Sequence, residues 1–287
     1  MVSGILRSRI VPRSLSYQLW RATCKAYSRE KFFFPTTVFG KRIVYGGVCG
    51  FSNDALFADL QAYEENTVKV LSSILSREPN PVAFDVGANN GQFLVLAKAL
   101  RADAAVHCFE PFPELTSFLE ELVHRNSFEA VYVNNLLVGD CDGMGELHYA
   151  EGATDTASSV QDFQPSFNRG LRVQQSSLDS YVAEKAIRHL SLIKIDVEGG
   201  ELEVLTGARS VLERLQPDII LELLYSKNPA HLARQQAAIN LLNDLDYGFY
   251  LIRADGNLER QYCVEPDPTY RFVNYFVTVS NPSGLCN

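Results

Sequence analysis

In the stretch VAFDVGANNGQF, residues 82–93, an apolar run passes into Asp85, Gly87, Asn89 and Gly91 and then returns to apolar residues. A strand that ends in such a glycine-spaced turn and continues as a helix leaves bare main chain at the helix start, where a ligand can lie. Glu110 closes the next apolar run, 19 residues after Gly91, and an acid there can accept hydrogen bonds from both hydroxyls of a ribose. Together these residues point to capture of an adenosine-containing cofactor. A second group, Lys194, Asp196 and Glu198 with Glu222 downstream, alternates along a predicted strand, which sets Lys194 and Asp196 on one face. Carboxylates so placed suit the orientation or deprotonation of a hydroxyl, and three of them also suit a Mg²⁺ that lowers a hydroxyl's pKa.

The glycines discriminate between cofactors. A GxGxxG dinucleotide fingerprint needs glycine at 87, 89 and 92, where the chain has Gly87, Asn89 and Gln92, so NAD is disfavoured; no GxxxxGK[ST] loop occurs either. Of the histidines, His148 alone falls in a segment that would overhang the site, and an ordinary core or surface role is the commoner fate of such a residue.

The elements that must position these residues follow from periodicity. Continuous apolar runs at 82–86, 104–109, 130–138, 191–197 and 218–224 read as strands covered on both faces. Between them, Phe93, Leu96, Ala97 and Leu100, then Leu115, Phe118, Leu119, Leu122 and Val123, fall at helical spacing, and a further helix is predicted over 202–215. Alternation of this kind predicts βαβ units, a doubly wound, mainly parallel sheet with helices on both faces. GELHY and LRVQQ read as a hairpin, and the hydroxyl-rich TDTASSV between them as a turn or pocket lining. The runs at 247–253 and 270–280, with no helix between them, predict an antiparallel finish. Ahead of the main domain at 81–287, residues 1–80 read as an extension with two short strands in 36–48 and a helix from Asp54, carrying Leu56, Leu60, Tyr63, Val68, Leu71 and Leu75, that stops at PNP.

Charge is unevenly spread. Residues 1–42 hold nine Lys or Arg and one acid, so the remainder has 17 bases against 33 acids, a net of −16. An acidic body argues against nucleic acid as a partner of the main domain. The basic segment, which also carries Trp20, Tyr27 and Phe32 to Phe34, is expected to dock on its own acidic body, with peripheral contact to a membrane or acidic partner as the other reading. No apolar run reaches the roughly 18 residues of a membrane span. Six cysteines are scattered without a CxxC pair, which points to reduced thiols and a cytoplasmic location.

FDVGANNGQF (84–93), CFEPFPEL (108–115), SSLDSY (176–181) and LIKIDVEGGELEVLTGA (192–208) together resemble the FkbM family of class I S-adenosylmethionine-dependent methyltransferases. The resemblance implies a seven-stranded Rossmann-like sheet with one antiparallel strand. It also implies S-adenosyl-L-methionine as cofactor and transfer of its methyl group to a hydroxyl of a sugar, glycan or natural product. Carried onto this chain, Asp85, Gly87, Asn89 and Gly91 would surround the amino-acid end of the cofactor, Glu110 would hold the ribose, and 136–140 would flank the adenine. Asp196 is the first expectation for the acceptor hydroxyl, with Glu198 and then Glu222 behind it; a divalent metal is an open alternative. A non-catalytic scaffold keeping the fold, or transfer to a carboxyl or nitrogen, are the competing readings.

Overall fold

The computed structural model describes residues 29–49, 51, 60, 65–150, 153–224, 228–253, 255–264 and 272–282. Strands β1 (Lys31–Val38) and β2 (Lys41–Val48) form an antiparallel hairpin. The first begins well before the strand expected from position 36. Of the aromatic residues assigned to the basic extension, Phe32, Phe33 and Phe34 are strand residues, Phe33 stacking on Phe118 at 5.1 Å and Phe34 buried, while Trp20 and Tyr27 lie outside the described residues. Helix α1 (Glu65–Ser76) buries Val68, Leu71 and Leu75 as predicted. Leu56 and Tyr63 lie outside the described residues.

The βαβ series then follows: β3 (Val82–Val86), α2 (Gln92–Leu100), β4 (Ala105–Phe109), α3 (Pro113–Asn126) and β5 (Val131–Asn134). The strand predicted over 130–138 does not run through. Asn135 turns its side-chain amide onto the main-chain oxygens of Glu110 and Pro111, and this local bonding competes with the ladder. The chain re-emerges as β6 (Leu137–Val138) in a second sheet, joined there by β7 (Gly143–Ala150), β8 (Ala153–Ser158) and β9 (Arg169–Ser176) in the order β6-β9-β7-β8. The predicted hairpin is the β7–β9 pair, and most of the hydroxyl-rich segment between them is strand rather than turn.

Next come α4 (Leu178–Glu184) and β10 (Leu192–Ile195). The helix expected over 202–215 is two, α5 (Glu201–Thr206) and α6 (Arg209–Leu215). The Asp179 carboxylate accepts from the N–H groups of Ser210 and Val211 and so caps the start of α6. Its neighbour Ser177 caps α4 by accepting from the Ser180 N–H. The SSLDSY motif therefore acts here as a pair of helix caps. Strand β11 (Asp218–Leu224) leads to α7 (Pro229–Asp244), a helix the hydrophobic pattern does not announce. Its buried stripe is His231, Gln235, Ala238, Ile239 and Leu242, and two polar residues at its head hide the periodicity. Strands β12 (Gly248–Ile252), β13 (Leu258–Gln261) and β14 (Phe272–Thr278) close the described chain.

The large sheet runs β13-β12-β14-β11-β10-β3-β4-β5. Among the described residues it has eight strands, not the expected seven, because β13 folds back along the edge of β12. Strand β14 is antiparallel to β11 and β12, the antiparallel finish expected at the end of the chain, and β3, β4, β5, β10 and β11 pair parallel. Successive side chains divide between two cores. Ala83, Val106, Cys108, Leu192 and Ile220 face one with the hairpin, α1, α2 and α3; Phe84, Val86, Ile193, Ile195 and Leu221 face the other with α4 to α7. At about 1.5–3 kcal/mol for each fully buried large apolar side chain, these two layers hold the strand ends rigidly enough to present polar groups beyond them. Among the described residues no helix is long and apolar enough to cross a membrane.

Candidate active site

The site lies where β3, β4, β10 and β11 end. Strand parity decides which polar side chains meet there. Asp85 follows Ala83, Lys194 follows Leu192 and Glu222 follows Ile220 on one face, and Lys194 stands beside Asp85 in the ladder. The Lys194 ammonium donates to Asp196 Oδ2 at 3.0 Å and lies 3.8 Å from Asp85 Oδ1. Asp196, Glu198 and Glu222 each offer a carboxylate oxygen, and these oxygens lie within 4.8 Å of one another. All three residues expected at the acceptor are thus brought together.

The turn after β3 is tied to the neighbouring strands. The N–H groups of Gly87 and Ala88 donate to the Phe109 carbonyl, and the Asn89 N–H donates to Glu110 Oε2 at 2.7 Å. The other Glu110 oxygen accepts from the Phe112 N–H at 2.9 Å. Glu110 therefore holds the turn in shape, a role that spacing did not disclose. Burial raises its carboxyl to about 7, against the pull of those two N–H groups, with Asp85 and Asp196 adding repulsion.

The glycines have reasons beyond bare main chain for a ligand. A side chain on Gly87, at φ +84°, would sit 1.9 Å from the Asp196 carbonyl oxygen; one on Gly91, at φ +73°, would sit 2.6 Å from Leu119. The fixed main-chain oxygen excludes a Cβ at Gly87; at Gly91 the leucine ends would have to shift, and the left-handed backbone is the stronger reason for glycine. Asn89 stands at φ +46°, a left-handed conformation that Asn tolerates better than most residues and glycine adopts freely.

Asp85 is fully buried, and neither of its oxygens has a hydrogen-bond partner among the described residues; the same holds for Asn89 Oδ1. Burial lifts the Asp85 carboxyl to about 6, with Lys194 opposing and Asp196 reinforcing. A buried carboxylate that accepts no hydrogen bond costs free energy even with an ammonium 3.8 Å away, and a further donor or cation would offset that cost. These acceptors fit the ammonium and sulfonium of S-adenosylmethionine, and the surrounding carboxylates fit its net positive charge.

Three further residues bear on the site without having stood out in the sequence. Tyr45 of β2 is buried and donates its hydroxyl to Asn90 Oδ1 at 3.0 Å, joining the hairpin to the cofactor turn. Glu201 is buried, accepts from the Gly199 N–H and is raised to about 7 by burial. Asn135 fixes the main chain after β4. Glu201 and Tyr45's partner Asn90 lie inside motifs; Tyr45 is one aromatic residue in an ordinary strand. Residues 136–140, expected by the adenine, include β6 and are anchored by the Gly139 N–H to the Ser176 carbonyl.

A doubly wound sheet with its acids gathered at the strand ends, around a turn too short in glycine for a dinucleotide, defines the Rossmann-like S-adenosylmethionine-dependent methyltransferases as a class. Comparison narrows it. The model of the methyltransferase FkbM domain matches residues 85–251. The 2-O-methyltransferase NoeI of Sinorhizobium fredii is 25% identical over 166 residues, covering 52% of this chain and 67% of that protein. The 31-O-demethyl-FK506 methyltransferase FkbM of Streptomyces tacrolimicus is 28% identical over 156 residues, covering 45% of this chain and 60% of the relative. A crystal structure of an FkbM methyltransferase from Methylobacillus flagellatus KT aligns over 92% of this chain and 60% of its own, at 16% identity and a TM-score of 0.48. The chain belongs to the FkbM methyltransferase family.

Proposed function

We propose that the chain is an S-adenosylmethionine-dependent O-methyltransferase whose acceptor is a hydroxyl of a sugar, glycan or natural product. The observation that carries this reading is the fully buried Asp85 carboxylate, which accepts no hydrogen bond among the described residues, has Lys194 as a cation 3.8 Å away, and shares one acidic neighbourhood with Glu110 and Asp196. Relatives named for O-methylation support the hydroxyl as acceptor atom.

When bound, the cofactor supplies an electrophilic methyl group on a positively charged sulfur. Asp85 offsets positive charge at the amino-acid end, and Asn89 Oδ1 offers an acceptor beside it. Glu110, already shaping the turn, keeps lone pairs for ribose hydroxyls. Lys194 pins the Asp196 carboxylate, which orients the acceptor hydroxyl and takes its proton as the oxygen gains the methyl group. Glu198 and Glu222 flank that position. The single, scattered cysteines, with Cys108 buried as a free thiol, support the reading of a reducing, cytoplasmic compartment.

Calorimetric titration with S-adenosylmethionine, followed by incubation of the labelled cofactor with sugars, glycolipid precursors and polyketides, tests the reading. Heat of binding and label on an acceptor oxygen are expected. A protein that gives no heat is a scaffold, and label on nitrogen or a carboxyl replaces the hydroxyl. The spacing of Asp196, Glu198 and Glu222 favours a second reading of the acid cluster, as holder of a Mg²⁺ ion. Turnover lost in EDTA and restored by Mg²⁺ supports the metal; turnover indifferent to EDTA leaves Asp196 as the base.

A further inference from the structure

Between the second sheet and the start of α7 lies a cavity of about 740 Å³, within the roughly 300–1,000 Å³ usual for small-molecule sites. Its lining is polar with rings interspersed: Glu146, His148, Gln161 and Gln164 beside Phe163 and Phe167. Its lining includes neither Asp85 nor Glu110, and it adjoins the turn that follows Asp196. A side chain on Gly199 would meet the Phe163 ring at 2.4 Å, and one on Gly200 would meet Ser159 Oγ at 2.8 Å. The segment after β8 therefore rests on the turn that follows Asp196. On its far side Phe163 packs against His231 of α7 at 5.0 Å between ring centroids, and the His231 ring meets the Asp162 carbonyl at 3.1 Å. The segment is thus held between the turn and α7.

We propose that this cavity binds a glycosyl unit of the acceptor next to the one that is methylated. The proposal rests on the reading of the chain as an O-methyltransferase and narrows its acceptor to carbohydrate. A pyranose has an apolar C–H face and a rim of hydroxyls. Aromatic rings match the first; amides, which donate and accept, and a carboxylate, which accepts, match the second. An extended apolar natural product would leave Glu146, Gln161 and Gln164 stripped of water and unpaired, and is disfavoured for the same reason.

The test is retention of the full chain, with S-adenosylhomocysteine present, on an array of neutral glycans offered both free-ended and lipid-linked. Methylation of the retained glycans is then followed for Phe167→Ala, Gln164→Ala and Gln161→Ala. The last is at an exposed position and leaves the fold undisturbed. KM for the glycan is expected to rise, by up to about tenfold in Phe167→Ala, with cofactor affinity unchanged. Retention on both glycan forms identifies the sugar alone as the determinant, and retention only on lipid-linked forms adds the linker while keeping the glycosyl unit. The proposal is overturned if no glycan is retained, or if KM is indifferent to all three substitutions. A cofactor that binds while these results fail removes the cavity assignment and leaves the methyltransferase; a cofactor that does not bind removes the methyltransferase itself.

Discussion

Asp85, Glu110 and Asp196 occupy one electrostatic neighbourhood and are proposed to carry separate tasks. Glu110 shapes the turn and is proposed to hold the ribose, so Glu110→Ala is expected to weaken cofactor binding by about 1–3 kcal/mol, seen in calorimetry. Asp196 is proposed to serve the acceptor hydroxyl, so Asp196→Asn is expected to spare cofactor affinity and lower turnover; unchanged turnover would remove its assigned role. Protonation gives an independent handle. Burial raises Asp85 to about 6 and Glu110 to about 7 in the free protein. A cationic ligand favours the charged carboxylates, so binding releases protons and affinity rises with pH up to about 7, then levels off. Titrations in buffers of different ionisation enthalpy measure that release. S-adenosylhomocysteine, which lacks the sulfonium charge, is expected to show a shallower dependence.

At the scale of elements, the N-terminal hairpin is part of the cofactor turn's support. Tyr45 reaches Asn90, while the Asn126 side chain of α3 accepts from the Val44 N–H and donates to its carbonyl, each at 2.7 Å. Arg29 pairs with Glu114, Lys31 donates to Ser117, and Arg125 lies over the Phe33 ring, so the described part of the basic segment docks on α3. Tyr45→Phe keeps the ring and its packing and removes one hydrogen bond. It is expected to raise KM for S-adenosylmethionine by about 2- to 10-fold with kcat unchanged. An equal fall in kcat would mean that the hairpin stabilises the molecule generally and does not position the turn. Val38, Ile43 and Val48 pack in the same core as Leu94 and Phe118, which explains why this hairpin can transmit a restraint.

For the whole molecule, gathering acids at the strand ends costs stability that the cofactor can return. Asp85 titrates at about 6 against an ordinary 3.8, and Glu110 and Glu201 at about 7 against 4.5. Each folded-state value is raised, so the contribution is fully present below the unfolded value and is lost as pH rises through the folded one. His107 opposes this: burial lowers it to about 4, so it destabilises the fold as pH falls below its ordinary value. Three carboxyls outweigh one imidazole in that window. Scanning calorimetry is therefore expected to show the Tm of the free protein falling between about pH 5 and 7.5, with saturating S-adenosylmethionine flattening the fall. A Tm rising over that range without cofactor would contradict the burial of these acids.

Local pattern by itself determined the strands β3, β4, β10 and β11, helices α2 and α3, and hence the order in which Asp85, Glu110, Asp196 and Glu222 reach the sheet's edge, because period-two and period-3.6 burial is written in neighbouring residues. It also determined the FkbM resemblance, which needs only short motifs. Tertiary structure alone decided the rest. It split the strand over 130–138 through Asn135, formed α7 under a buried stripe headed by His231 and Gln235, and aimed Tyr45 at Asn90. It also showed that Gly87 is required by the Asp196 carbonyl. Each of these depends on an atom supplied by a distant part of the chain, and no window of neighbouring residues contains it.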